Sequence, residues 1–146
     1  MKLLIDTNII MDVLVERTPF FEKSNYAVKL CADKKVQGVL AAHTLTNLFY
    51  ILRKYFSVDE CRGILLSLFD IFHVASVHEK NLRASLENQA FNDFEDCLQM
   101  ECGREAMADY IVTRDSKHFS HSDIPCLTPD EVYAKFGAEI VGSDKP

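Results

Sequence analysis

Three aspartates stand where a chain of this pattern can do acid–base or metal chemistry. Asp6 closes a short apolar run, Lys2-Leu3-Leu4-Ile5, and is followed at once by Thr7-Asn8 and a helical pattern. A carboxylate held where a buried strand stops and a helix starts sits in the crevice outside the strand's carboxyl end, where open α/β sheets put their ligands. Asp115 repeats the arrangement at the end of Tyr110-Ile111-Val112-Thr113-Arg114. Two strand-end aspartates from opposite ends of the chain predict one acidic site. A third acidic feature, Asn92-Asp93-Phe94-Glu95-Asp96, opens the helical stretch that leads to the strand before Asp115. Asp93 and Asp96 are three apart and share a face if both lie within that helix. The other reading is capping, by Asn92 with Glu95 or by Asp93 with Asp96, with the acids complementing the helix dipole.

The elements that must position these groups are legible as alternation. Strand-like runs at 2–6, 37–41, 71–74, 109–113 and, weakly, 124–127 are separated by longer helical segments, the pattern of a parallel sheet covered by helices. Leu45, Leu48, Phe49 and Leu52 have helical spacing, as do Cys61, Ile64, Leu65 and Leu68, and both stripes read as core. Residues 43–69 are therefore expected to form two helices joined near Phe56-Ser57, inserted between the second and third strands. Ser57 with Glu60 and Ser76 with Glu79 match capping boxes, and Thr128-Pro129-Asp130-Glu131 has proline at the first helical position. The apolar pattern fades after Phe136, so a domain over 1–136 and a flexible tail over 137–146 are expected.

With 146 residues and 48% hydrophobic content, the chain fits one compact domain with a sizeable core. Its formal charge of −6 argues against a generally basic nucleic-acid binder, although a bound divalent cation would change the local field. Cys31, Cys61, Cys97, Cys102 and Cys126 form no CxxC pair, which favours buried thiols in a reducing compartment over disulfides or structural zinc. The first apolar run is too short for a secretory signal and no run approaches a membrane span, so a cytoplasmic protein is expected. Arg53-Lys54, Arg114 and Lys117-His118 are either phosphate contacts or solvated charge, and Lys34-Lys35 read as solvated. His118 and His121 lack the further ligands a zinc site needs. Phe20, Phe21, Phe49, Tyr50, Tyr55, Phe56, Phe69 and Phe72 are more aromatics than one small core must bury, leaving some for a partner surface.

Taken in order, Leu4-Ile5-Asp6-Thr7-Asn8, Ala42-His43-Thr44-Leu45-Thr46-Asn47, Asp96-Cys97-Leu98-Gln99 and the segment from Asp109 through Thr113-Arg114-Asp115 to Phe119 resemble the PIN-domain family, over about residues 2–132. The resemblance implies a three-layer α/β/α sandwich with a central, mostly parallel sheet of four to five strands. It also implies a Mg²⁺- or Mn²⁺-dependent ribonuclease of the kind found as the toxin of bacterial toxin–antitoxin pairs, with an RNA substrate, an antitoxin partner and a homodimeric state. Asp6, Asp96 and Asp115 are then the catalytic metal ligands, and Asn8 and Thr113 orient them or an attacking water through hydrogen bonds. For Thr7 and Asn8, capping of the first helix is the other reading. Asp12 is either an accessory acid or a solvated one. Asn47 stands where the family carries a Glu. Its amide oxygen is a candidate ligand, the alternative being a local hydrogen bond after Thr44, and Asp93 is the candidate to supply the missing charge.

Electrostatics supports the same site. Two carboxylates about 4 Å apart repel by roughly 4 kcal/mol at an effective dielectric near 20, so converging aspartates call for a proton or a cation. Oxygen ligands favour Mg²⁺ or Mn²⁺ over zinc, and such an ion would activate water and stabilise charge on an RNA phosphodiester. A haloacid-dehalogenase-like phosphatase would need a second Asp where Asn8 stands, and a phospho-receiver would need adjacent acids after the first strand. The rival reading is a degenerate PIN domain that binds RNA or a protein without cutting, and Asn47 favours it.

Overall fold

The computed structural model describes residues 1–143, with side chains as far as Gly137. Five strands, β1 (Lys2–Ile5), β2 (Gln37–Ala41), β3 (Phe72–Ala75), β4 (Tyr110–Val112) and β5 (Cys126–Leu127), form one sheet in the order β3-β2-β1-β4-β5. Every pairing is parallel. The helices are α1 (Thr7–Leu14), α2 (Phe21–Ala32), α3 (Ala42–Leu52), α4 (Val58–Ile71), α5 (Glu79–Glu87), α6 (Phe94–Glu105) and α7 (Pro129–Ser143), with a 3-10 turn at Ser116–Phe119. The architecture is the expected three-layer α/β/α sandwich.

The layers follow from side-chain alternation along buried strands. Leu3 and Ile5 of β1, Leu40 of β2 and Val112 of β4 pack with α1, α2, α3, α4 and α7. Leu4, Val39, Ala41 and Ile111 point the other way, onto Cys97, Leu98, Met100 and Cys102 of α6. Both faces of the sheet are thus dry, and fully burying each of these aliphatic side chains contributes roughly 1.5–3 kcal/mol. All five cysteines are free thiols, four of them buried. No helix among the described residues is long and apolar enough to cross a membrane.

Several element edges differ from the sequence expectation. β1 and β4 stop one residue early, before Asp6 and Thr113, and β3 is shifted to 72–75 because Ile71 still belongs to α4. Ser57 and Glu60 do form a reciprocal capping box, with Glu60 N–H donating to Ser57 Oγ at 3.1 Å and Ser57 N–H to Glu60 Oε1 at 3.4 Å. The box expected at Ser76 and Glu79 is displaced by two residues. There His78 N–H donates to Asn81 Oδ1 at 2.8 Å, while Asn81 Nδ2 reaches Glu105 Oε2 at 2.9 Å, so a tie to α6 fixes where α5 begins. Lys34, expected to be solvated, donates to the carbonyls of Asp70 and Ile71 at 3.0 and 3.1 Å and closes the C-terminus of α4. The expected flexible tail over 137–146 begins inside α7, and residues 144–146 lie outside the described residues.

Gly38 sets the spacing between α2 and the sheet. A Cβ there would lie 2.6 Å from the Phe72 ring and 2.7 Å from Cys31 Sγ. Gly38→Ala is therefore expected to lower stability by about 1–3 kcal/mol, the usual cost of overpacking, read as a lower urea midpoint at unchanged slope.

Candidate active site

The strand order reverses between β1 and β4, and the candidate site lies at the carboxyl ends of those two strands. Their register pairs Ile5 with Val112, and the next N–H, that of Asp6, donates to Val112 O at 3.0 Å. Asp6 and Thr113 therefore leave the sheet side by side. Thr113 Oγ1 donates to Asp6 Oδ2 at 2.7 Å and accepts from Asp115 N–H at 3.0 Å, so one hydroxyl joins both strand-end aspartates. Asp6 is also the cap of α1, accepting from Thr7 N–H at 2.7 Å. Thr7 and Asn8, read from sequence as alternative caps, instead lie in the first turn of α1.

Each acid of the cluster is held by an uncharged amide or an imidazole from another element. Gln99 Nε2 of α6 donates to Asp6 Oδ1 at 2.6 Å. Asn8 Nδ2 of α1 donates to Asp115 Oδ2 at 3.0 Å. Asn47 Nδ2 of α3 donates to Glu95 Oε1 of α6 at 2.6 Å, so its partner is not the local one expected after Thr44. His118 Nδ1 lies 3.5 Å from Asp96 Oδ2, and His118 thus faces an acid rather than pairing with His121. Asp93 caps α6 by accepting from Asp96 N–H at 2.9 Å, one of the two roles its sequence position allowed.

The electrostatics of this cluster are those of crowded negative charge. Burial pushes the Asp6 carboxyl above its ordinary range, the bonds from Thr113, Gln99 and Thr7 pull it back, and the charge of Asp115 adds to the rise. Asp96 is pushed up to about 7 by burial and then by Asp93 and Asp6, against an opposing pull from His118. Glu95 is raised by burial, Asp93 and Asp6, and Asn47 lowers it.

These residues fit a hard cation in donor type. Around the carboxylates, Gln99 Oε1 and Asn8 Oδ1 are buried acceptor atoms with no hydrogen-bond partner, on the two amides whose nitrogens hold Asp6 and Asp115. Carboxylate and amide oxygens are the ligands that Mg²⁺ and Mn²⁺ prefer. Among the described residues no three acidic, His or Cys side chains already converge on one point. A cavity of about 510 Å³ beside Phe20 and Arg114 is not lined by Asp6, Glu95, Asp96 or Asp115.

Sequence reasoning missed three features. Gln99 lies one helical turn after Asp96, and that spacing alone could have placed both on one face. Glu95 read as a helix-terminal acid because nothing local ties it to Asn47. Asp12, read as accessory or solvated, is fully buried. Arg114 Nε and Nη2 grip its two oxygens at 2.8 and 3.1 Å, and Ser24 Oγ donates to it at 2.8 Å. Arg114 also stacks on the Phe20 ring, 3.9 Å from its centroid. It is therefore committed inside the fold and is not the free phosphate contact its position beside Asp115 suggested.

The sequence profile of the PIN domain matches residues 2–117. Ribonuclease VapC1 of Aquifex aeolicus (strain VF5) is 24% identical over 136 residues, covering 89% of this chain and 92% of that protein. Among solved structures, VapBC2 from Rickettsia felis bound to a promoter DNA fragment aligns with a TM-score of 0.67 at 18% identity, over 88% of this chain and 98% of that one. A toxin–antitoxin complex from Klebsiella pneumoniae gives 0.65 at 20% identity, over 87% and 97%.

Two measurements probe the site's charges. Because the Asp96 carboxyl is raised in the fold, the folded protein holds that proton more tightly than the unfolded chain. Its contribution to stability is present at low pH and is lost as pH rises from the ordinary value of 3.8 through about 7, with Asp6 and Glu95 acting in the same direction. Metal-free Asp96→Asn should flatten this dependence and melt above the wild type at pH 8, each kcal/mol relieved being worth about 2–4 °C. Asp12→Ala, by contrast, leaves the half-buried Arg114 guanidinium without its carboxylate partner and should cost about 3 kcal/mol, the low end for a buried pair, in a denaturant titration.

Proposed function

Because the chain belongs to the PIN-domain family, we propose that it is a Mg²⁺- or Mn²⁺-dependent endoribonuclease acting in the cytoplasm as the toxin of a toxin–antitoxin pair. The observation that carries this reading is the set of desolvated acids at the β1/β4 reversal, joined by Thr113 and bordered by two unpaired amide oxygens. Asp6, Asp96 and Asp115 would hold the ion. When bound, it supplies a nucleophilic water at neutral pH and neutralises charge developing on the phosphate.

The chain's own residues prepare that chemistry. Thr113 and Gln99 fix the Asp6 carboxylate, and Asn8 fixes that of Asp115. Asp93 occupies the head of α6 and adds negative charge felt by Asp96 and Glu95. Exposed Lys117, in the 3-10 turn beside Asp115, and exposed Arg53 and Lys54 after α3 are free to meet the phosphates of an extended RNA.

The relatives assembled with antitoxins support a protein partner, and the chain offers a surface of suitable character. Of the aromatics too numerous for the core, Tyr50 and Tyr55 remain exposed, as do Leu66 and Phe69 on α4, while Phe72 is buried. The same apolar surface supports a homodimer.

Purified protein should cut an RNA pool on addition of Mg²⁺ or Mn²⁺ and stop on chelation. Asp6→Asn and Asp115→Asn should each lower the cleavage rate by about 10²-fold or more while preserving the circular dichroism spectrum. If the wild type binds RNA but neither takes up these ions nor cuts, the domain is a non-cutting binder, the reading that Asn47 favours.

A further inference from the structure

We propose that Glu95 is the fourth acid of this site and that Asn47 is its positioning residue, so that α3 contributes a holder of charge and α6 the charge itself. The inference rests on the metal-site reading above and adds a ligand to it. Glu95 and Asp96 are consecutive in the first turn of α6, one turn before Gln99, whose amide grips Asp6. The Asn47 amide reaches across from α3 to one oxygen of Glu95 at 2.6 Å, leaving the other oxygen without a protein donor among the described residues. His43, four residues earlier on the same face of α3, lies against the Glu95 backbone. The Asn47 amide is thus the side-chain donor that holds Glu95, while the ring nitrogens of buried His43 have no hydrogen-bond partner.

A surface glutamate at a helix N-terminus would need no such support. This one is half-buried and within electrostatic reach of Asp6, Asp93 and Asp96. The independent sign of a cation is Gln99. Its side chain is 1% exposed, its nitrogen sits on Asp6, and its oxygen, on the same carbon, has no partner. Glu95 and Asp96 feel the charge of Asp6, and Asp6 that of Asp115, so four carboxylates within electrostatic reach and an orphan amide oxygen supply hard ligands for a cation to draw together.

Calorimetric titration of the full chain with Mn²⁺ tests the assignment without using catalysis. Glu95→Gln should weaken Mn²⁺ binding by at least the roughly 10- to 100-fold typical of losing even an outer partner of a metal ligand, and Asn47→Ala should weaken it by about 10-fold. The double variant should lose no more than Glu95→Gln alone, since Asn47 acts through Glu95 and a merely structural residue would add its own loss. Thermal melts without metal check that the variants are folded, and Glu95→Gln should melt no lower than the wild type because it relieves repulsion. If Glu95→Gln binds Mn²⁺ as the wild type does while Asp6→Asn does not, Glu95 is outside the site and the proposal falls alone. If Asp6→Asn also binds as the wild type does, the metal-site reading falls with it.

Discussion

The structure turns on the pairing of β1 with β4, the point at which strands of distant sequence become neighbours and the order of the sheet reverses. Because Ile5 faces Val112, the first residue beyond each strand is fixed as well, and Asp6 and Thr113 meet through a 2.7 Å hydrogen bond. Slipping that register would move Leu3, Leu4 and Ile5 out of their respective layers, each of which is fully buried. The position of Asp6 is thus enforced by the packing of the whole sheet. Its carboxylate is kept in a 6% exposed position that burial alone would disfavour. The paired end of β1 and the buried carboxylate are adjacent residues.

What surrounds that charge is chosen by type. A carboxylate can be fixed by arginine or lysine, but a cation holding it would also cancel its field. Around Asp6, Asp115 and Glu95 the holders are Gln99, Asn8, Asn47 and the Thr113 hydroxyl, which donate hydrogen bonds and leave the negative charge intact. The nearest guanidinium in sequence, Arg114, is turned away from Asp115 and locked onto Asp12, with Ser24 satisfying one of the same oxygens. Breaking such a buried pair is costly, which is what keeps Arg114 from relaxing toward its acidic neighbour. Asp12 therefore keeps Arg114, the guanidinium next to Asp115 in sequence, inside the fold.

How much of this was legible in the sequence depends on how local each cause is. The short strands before Asp6 and Asp115, the two-helix insertion over 43–69, the capping box at Ser57 and the proline-headed helix start after Thr128 are written in neighbouring residues, and the structure has them. The α5 start is not, because Asn81 is drawn to Glu105, a residue on another helix. The pairs Asn47 with Glu95, Gln99 with Asp6 and Arg114 with Asp12 are likewise invisible to spacing, since each joins elements far apart in the chain. Asp12, by its sequence position either an accessory or a solvated acid, is buried because the β4 end brings Arg114 against it.

These contacts also change the meaning of the amide at position 47. Read alone, an asparagine on the central helix subtracts a carboxylate from the site. In the fold it gathers one instead, drawing Glu95 toward an interior where burial, Asp93 and Asp6 all oppose its charge. Glu95 and Asp96 lie in one helical turn and, with Asp93 at the cap, concentrate negative charge at the head of α6. Helix dipoles favour acids at that end. The turn that tolerates carboxylates best carries three in sequence reach of one another, and the α3 position, without a dipole terminus to offset a charge, carries the neutral group.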